Sequence, residues 1–253
     1  MVARPLFLIG NKRSGTSHLT NILNAHPGIF VAPEADLVQA LYCRSRGEPI
    51  LPHALDGPGA LAQTLQSFGD EFADMSASTQ DVFRRVLAAL ARRRGKDIHA
   101  LQWAGDKKPV QHADPVLFEF IRANWPDARF VHIVRHPAQA VASMRRAVQD
   151  LYPFMEVWKR PDEDLLRLWT ENEQRVLEYK AAGAPIFTLT LPALIGDPTG
   201  VLGDLLDFLE LADDAGVRAF AQSTTVAENR SCDHMELALT AQAREIVRHY
   251  ALG

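Results

Sequence analysis

The chain has 253 residues, 47% of them hydrophobic, and a formal net charge of −4. That is enough for one large α/β domain, 1–253, and gives no global reason to expect nucleic acid or a membrane surface as a partner. Two cysteines, Cys43 and Cys232, make no disulfide framework, and no apolar stretch approaches the roughly 20 residues of a membrane span.

The first strand begins within about five residues of Met1, which leaves no room for a secretory signal, so a reduced, cytoplasmic protein is the expectation. "PLFLIG" (5–10) is a continuous apolar run, the pattern of a strand buried on both faces of a parallel sheet. A helix follows with Leu19, Ile22 and Leu23 on one face, broken at Pro27 and Gly28. "IFVA" is a brief apolar run, and a helix restarts near Glu34. Residues 47–58 hold three prolines and read as an irregular loop.

Helical patterns occupy 59–68 and 79–94, and "HALQWAGDKKP" (99–109) reads as a strand running into a charged loop. Next come a helix at 114–124, the strand "ARFVHIV" (128–134), a helix at 138–149 and a long amphipathic helix at 162–183. "PIFTLTL" (185–191) is a fourth strand, followed by a helix over "PTGVLGDLLDFLEL" and a terminal helix at 240–252. The alternation predicts α/β: a three-layer parallel sheet flanked by helices, with ligands bound beyond the carboxyl ends of the strands. Three of the four strands end in polar loops, at 10–17, 105–109 and 135–137.

The first of these loops has the spacing of a phosphate loop: Gly10, four residues, then Gly15. Backbone N–H groups at a helix N-terminus make a nest for an anion, and the hydroxyls of Ser14, Thr16 and Ser17 can add hydrogen bonds. Arg13 supplies a planar charged fork suited to phosphate or sulfate oxygens. The plainer alternative is a strand–turn–helix with an exposed basic turn. Thr16 stands where an NTP-hydrolysing loop carries its lysine, which argues against ATP chemistry but not against anion binding.

"GNKRSGTSHL" resembles the 5′-phosphosulfate loop of sulfotransferases that use 3′-phosphoadenosine-5′-phosphosulfate. Their second signature, an arginine at a strand end and a serine eight positions on, is matched by Arg135 and Ser143 in "FVHIVRHPAQAVASMRR". Pro137 suits the first helical turn, and Ser143 lies about 9 Å further along at about 1.5 Å per residue. The resemblance is closest to the bacterial and tyrosyl-protein branch, and weaker family-like order extends from residue 5 to about 210. It implies the P-loop NTPase-like sulfotransferase fold and the product 3′,5′-adenosine bisphosphate. In its terms Arg13, Ser14, Gly15, Thr16 and Ser17 hold the 5′-phosphosulfate, and Arg135 and Ser143 the 3′-phosphate.

Sulfuryl transfer to a hydroxyl needs a base, cations around the moving SO₃ group and a neutralised leaving group. By resemblance Arg13 stands beside the bridging oxygen, with Lys12 its competitor, pointing away from the nest. Glu34, 21 residues after Arg13, occupies the place of the catalytic glutamate; alternatively it caps a helix start. Asp36 is the fallback base, and His112 the nearest counterpart of the histidine used by the cytosolic branch. "WAGDKKP" resembles the segment that points Lys107 at the sulfate, with Lys108 facing substrate or solvent, or else it is a charged surface loop.

Arg145, Arg146, Arg230 and Ser231 are further candidates for the bisphosphate. Trp103, Trp158 and Trp169 read as core or acceptor-pocket residues. The segment "TLTLPALIGDP" (188–198) departs from the family's pattern, and no His/Asp cluster has metal-ligand spacing, so transfer without a metal is expected. The expected partner is a hydroxyl-bearing acceptor (small molecule, glycan or tyrosine), its pocket built from 47–58, 68–78 and 145–165. Two other functions stay open: a kinase using ATP and magnesium, and a non-catalytic nucleotide-binding module.

Overall fold

The computed structural model describes residues 3–51, 59–109, 114–228 and 236–252. Strand β1 (Arg4–Gly10) leads into helix α1 (Thr16–Ala25), then β2 (Ile29–Pro33) and α2 (Leu37–Ser45). Helices α3 (Gly59–Ala73) and α4 (Thr79–Arg93) precede β3 (Trp103–Lys107), α5 (Pro115–Asn124), β4 (Arg129–Val134) and α6 (Pro137–Asp150). A 3₁₀ turn (Glu156–Lys159) connects to α7 (Asp162–Ala181) and β5 (Ile186–Thr190). Four helices complete the chain: α8 (Leu191–Gly196), α9 (Pro198–Phe208), α10 (Ala215–Glu228) and α11 (Ala241–His249).

The five strands form one parallel sheet in the order β2-β3-β1-β4-β5. Side chains alternate between its faces as the strand period of two requires. In β1, Phe7 and Ile9 join the cluster under α2 to α5, while Leu6 and Leu8 join the one under α1, α9 and α10. Phe7 meets the rings of Phe83, Trp125 and Phe130 within 5.8 Å. Burying one such ring stabilises by about 1.5–3 kcal/mol, which is why the strand reads as an unbroken apolar run.

The order places a switch point at β1: β3 and β2 extend on one side of it, β4 and β5 on the other. In such sheets the crevice at the carboxyl ends is where ligands bind. Close approach inside the sheet depends on Gly105, where an added Cβ would lie 1.5 Å from the Leu6 carbonyl oxygen.

The structure adds one strand to the four read from the sequence. "IFVA" becomes β2, an edge strand paired in register with β3. It is only five residues long and ends in Pro33, which an edge position tolerates because no ladder N–H is required there. Helix α3 runs on to Ala73 through a break at Phe68, and α8 and α10 are additional to the predicted helices.

Candidate functional site

Four strands deliver the site, and its residues lie across it in strand order. Beyond β2 stands Glu34, at the end of β3 Lys107, after β1 the loop 11–15, and after β4 Arg135. The register pairs Pro33 with Lys107, so Glu34 emerges beside that lysine, and its backbone N–H donates to the Lys107 carbonyl at 2.8 Å.

The loop closes on itself through the Ser14 N–H, which donates to the Asn11 carbonyl at 3.2 Å. Arg13 and Gly15 adopt left-handed backbone, φ 67° and 93°. A Cβ at Gly15 would also come 2.8 Å from Leu191 Cδ1, so the segment that departs from the family pattern packs against the loop's glycine. No side chain caps α1 and no acidic residue lies in its first turn, which leaves the positive end of the helix facing the loop. The Ser14 hydroxyl is fully buried without a hydrogen-bond partner among the described residues, Thr16 is buried, and Ser17 is exposed. An anion seated here would meet main-chain N–H groups, and the cradle would not accept a side chain at Gly15.

The two motifs meet. Arg13 Nε donates to Ser143 Oγ at 3.1 Å, and Arg135 donates to the Arg13 carbonyl at 3.1 Å and to Gln139 Oε1 at 3.4 Å. Arg135 and Ser143 are 6% and 7% exposed. His136 caps α6, and Pro137 occupies its first turn.

On the other side of the loop, Lys107 Nζ donates to Ser17 Oγ at 3.1 Å and to Glu34 Oε1 at 2.6 Å. The lysine is 1% exposed, while the Glu34 side chain keeps 45% of its surface open. Burial pushes the Glu34 carboxyl up, but the charge and hydrogen bond of Lys107, joined by Lys108 and Lys12, outweigh it and hold the carboxyl below its ordinary value. Glu34 and Asp36 are both left-handed, φ 52° and 51°. Non-glycine residues in that region cost on the order of 1 kcal/mol each, and such strain concentrates at functional sites.

Several expected residues sit elsewhere. Lys108 turns inward and pairs with Asp36 at 2.7 Å, both nearly inaccessible, so neither faces substrate or solvent. Arg145 is drawn off the site by the carbonyl of Trp158, at 2.7 Å, and by Asp162. Lys12 lines a cleft beside the loop. Asn11 and Asn172 also line that cleft, and the rest of its wall is apolar, with Met144, Trp158, Leu165 and Trp169. Trp103 is core, its indole donating to the Leu209 carbonyl at 2.7 Å. His112, Arg230, Ser231 and part of the proline-rich loop lie outside the described residues.

Two groups of residues escaped the sequence reading. Asp106, fully buried, accepts from the N–H groups of Ala35 and Leu37 at 3.3 and 3.1 Å; it, and not Glu34, caps α2. Burial and the charge of Asp36 push its carboxyl up to about 7. The second group is Asn11, Asn172, Glu173 and His132, buried beneath the loop. The signal was present: Glu173 falls four residues after Trp169 and three before Val176, inside the apolar stripe of α7.

Among the described residues no group of His, Cys, Asp and Glu side chains is placed to hold a metal ion, and no helix is long and apolar enough to cross a membrane. The fold matches the sulfotransferase domain of the Synechococcus PCC 7002 olefin synthase, with TM-score 0.66 and 19% identity over 98% of this chain and 95% of that one. The sulfotransferase domain of the curacin biosynthetic pathway gives 0.65 and 18%, over 100% and 99% of the two chains. Mouse sulfotransferase SULT7A1 complexed with PAP gives 0.52 and 16%, over 99% and 76%. No curated protein sequence matches. The sulfotransferase family model matches residues 5–215, and with that match over most of its length the chain belongs to the sulfotransferase family.

Proposed function

We propose that the protein transfers a sulfuryl group from 3′-phosphoadenosine-5′-phosphosulfate to the hydroxyl of an acceptor. The observation that supports this most is the bridge made by Lys107, whose ammonium joins Ser17 of the phosphate loop to Glu34. A cation for developing negative charge and a carboxylate for the acceptor's proton thus stand next to each other at the mouth of the nest.

The donor supplies an activated sulfuryl group and leaves as 3′,5′-adenosine bisphosphate, the ligand in the mouse neighbour's structure. Main-chain N–H groups of 14–17, with the buried Ser14 hydroxyl and the glycine cradle, suit its 5′-phosphosulfate. Arg135 and Ser143 suit its 3′-phosphate, and Arg13 lies between the two half-sites, tied to Ser143. Glu34, ionised and partly open, accepts the proton of the attacking hydroxyl; Lys107 and Arg13 hold the transferring charge. The largely apolar cleft beside Lys12 offers a wall for the acceptor's body.

Incubation with the donor and a panel of phenols, sugars, lipids and tyrosine peptides tests the reading. Transfer to at least one class, slowed about 10²- to 10⁴-fold in Glu34→Gln, is expected. Magnesium-dependent ATP turnover instead, or transfer at the wild-type rate by Glu34→Gln, contradicts it.

A further inference from the structure

The polar cluster beneath the phosphate loop is not consumed by the chemistry above. Asn11, the first residue after β1, donates from Nδ2 to Glu173 Oε1 at 2.6 Å and to the Trp169 carbonyl at 3.3 Å. Its Oδ1 accepts from Asn172 Nδ2 at 3.0 Å. All three bonds run to one stretch of α7. From that same stretch the indole of Trp169 donates to the Arg135 carbonyl at 3.2 Å. One helical turn therefore holds the front of the phosphate loop and the backbone of the strand-end arginine.

Glu173 is the centre of this brace, 1% exposed. Its second oxygen lies 3.3 Å from His132 Nε2, on β4, without hydrogen-bond alignment. Val131 and Ile133 point to the opposite face, so the strand alternation turns His132 toward α7. Tyr250, just past α11, stacks edge-on to His132 at 6.0 Å, and burial with the Glu173 charge pushes its phenol up. The end of the chain thus packs onto the brace.

Burying a carboxylate costs several kcal/mol, and an apolar residue of similar volume in the α7 stripe would serve stability as well or better. The placement of Glu173 makes more sense as positioning. We infer that Glu173 is a positioning residue that sets the spacing between the two phosphate half-sites, by fastening Asn11 to the turn of α7 that also holds the Arg135 backbone. The inference rests on the donor reading proposed above.

Calorimetric titration with 3′,5′-adenosine bisphosphate and with 5′-AMP tests it in the full chain, for Glu173→Leu, Glu173→Gln and Asn11→Ala, with Tm measured alongside. Only the bisphosphate spans both half-sites. Glu173→Leu is expected to cut the preference for the bisphosphate over 5′-AMP by about tenfold, a 1.4 kcal/mol change. Glu173→Gln, which keeps an acceptor for Asn11 Nδ2, is expected to retain most of it. Asn11→Ala cuts the same link from the loop side, repeats the loss, and decides the matter if Glu173→Leu does not fold. An unchanged preference in Asn11→Ala and Glu173→Leu, whatever their Tm, overturns the inference. So does an equal loss of both ligands. If the unmodified protein itself shows no preference, the donor reading fails and takes this inference with it, an outcome told apart because it needs no variant.

Discussion

Arg13 Nε donates to Ser143 Oγ at 3.1 Å, across 130 residues of chain. The two motifs therefore form one polar surface, with Arg135 fastened to the Arg13 carbonyl behind it. Loss of an arginine–phosphate contact costs about 1.5–3 kcal/mol. Arg135→Ala is accordingly expected to weaken 3′,5′-adenosine bisphosphate binding roughly 10- to 100-fold by calorimetry. It should leave 5′-AMP binding much less affected, and Ser143→Ala should show the same selectivity at smaller size. Equal weakening of both ligands would remove the 3′-phosphate assignment.

Glu34 tests the chemistry apart from the binding. A positioned base contributes about 10²- to 10⁴-fold. Glu34→Gln is expected to lower kcat by that order while the affinity for the bisphosphate stays within about threefold, since the carboxylate faces Lys107 and not the phosphate half-sites. A parallel fall in bisphosphate affinity would make Glu34 a binding group.

The pH profile follows from the lowered Glu34 value. The base works ionised, so kcat/KM should hold steady as pH falls and drop only below the ordinary glutamate value of about 4.5. Any stability contributed by this pairing has the same sign: present above the unfolded-state value and lost as pH falls through the folded one. In Lys107→Met the opposing effect of burial is less well offset, so the acid limb of the profile moves upward and residual activity is lower. An unmoved limb would show that Glu34 is not the group titrating.

Lys107 and Lys108 are adjacent in sequence but predict opposite phenotypes. Lys108 and Asp36 are 3% and 1% exposed, and removing one partner of a buried pair costs about 3–5 kcal/mol. Lys108→Met should lower the denaturation midpoint substantially, with bisphosphate affinity of the folded protein unchanged. Lys107→Met should do the reverse, sparing stability more than turnover. Identical behaviour of the two variants would contradict the division.

The difference between these lysines was not legible in the sequence, because "DKKP" gives no sign of which ammonium finds a buried carboxylate. The positions of both motifs at strand ends were legible, since "PLFLIG" and "ARFVHIV" are mainly apolar runs that mark their strands as central. β2 was not: five residues ending in Pro33 lack the length that separates a strand from a loop. Glu34 was located by resemblance, but its adjacency to Lys107 depends on the β2–β3 register. Asp106 reads as part of a charged loop until the sheet buries it, where its N–H partners on Ala35 and Leu37 come from 71 and 69 residues earlier in the chain. Glu173 broke an apolar stripe visibly, yet its partner Asn11 lies 162 residues away.

The most direct test is a crystal structure with 3′,5′-adenosine bisphosphate bound. The 5′-phosphate is expected on the main chain of residues 14–17, the 3′-phosphate between Arg135 and Ser143, and Glu34 and Lys107 lining the space beyond the 5′-phosphate. A ligand bound elsewhere, or reaching only one of the two clusters, would contradict a shared donor site.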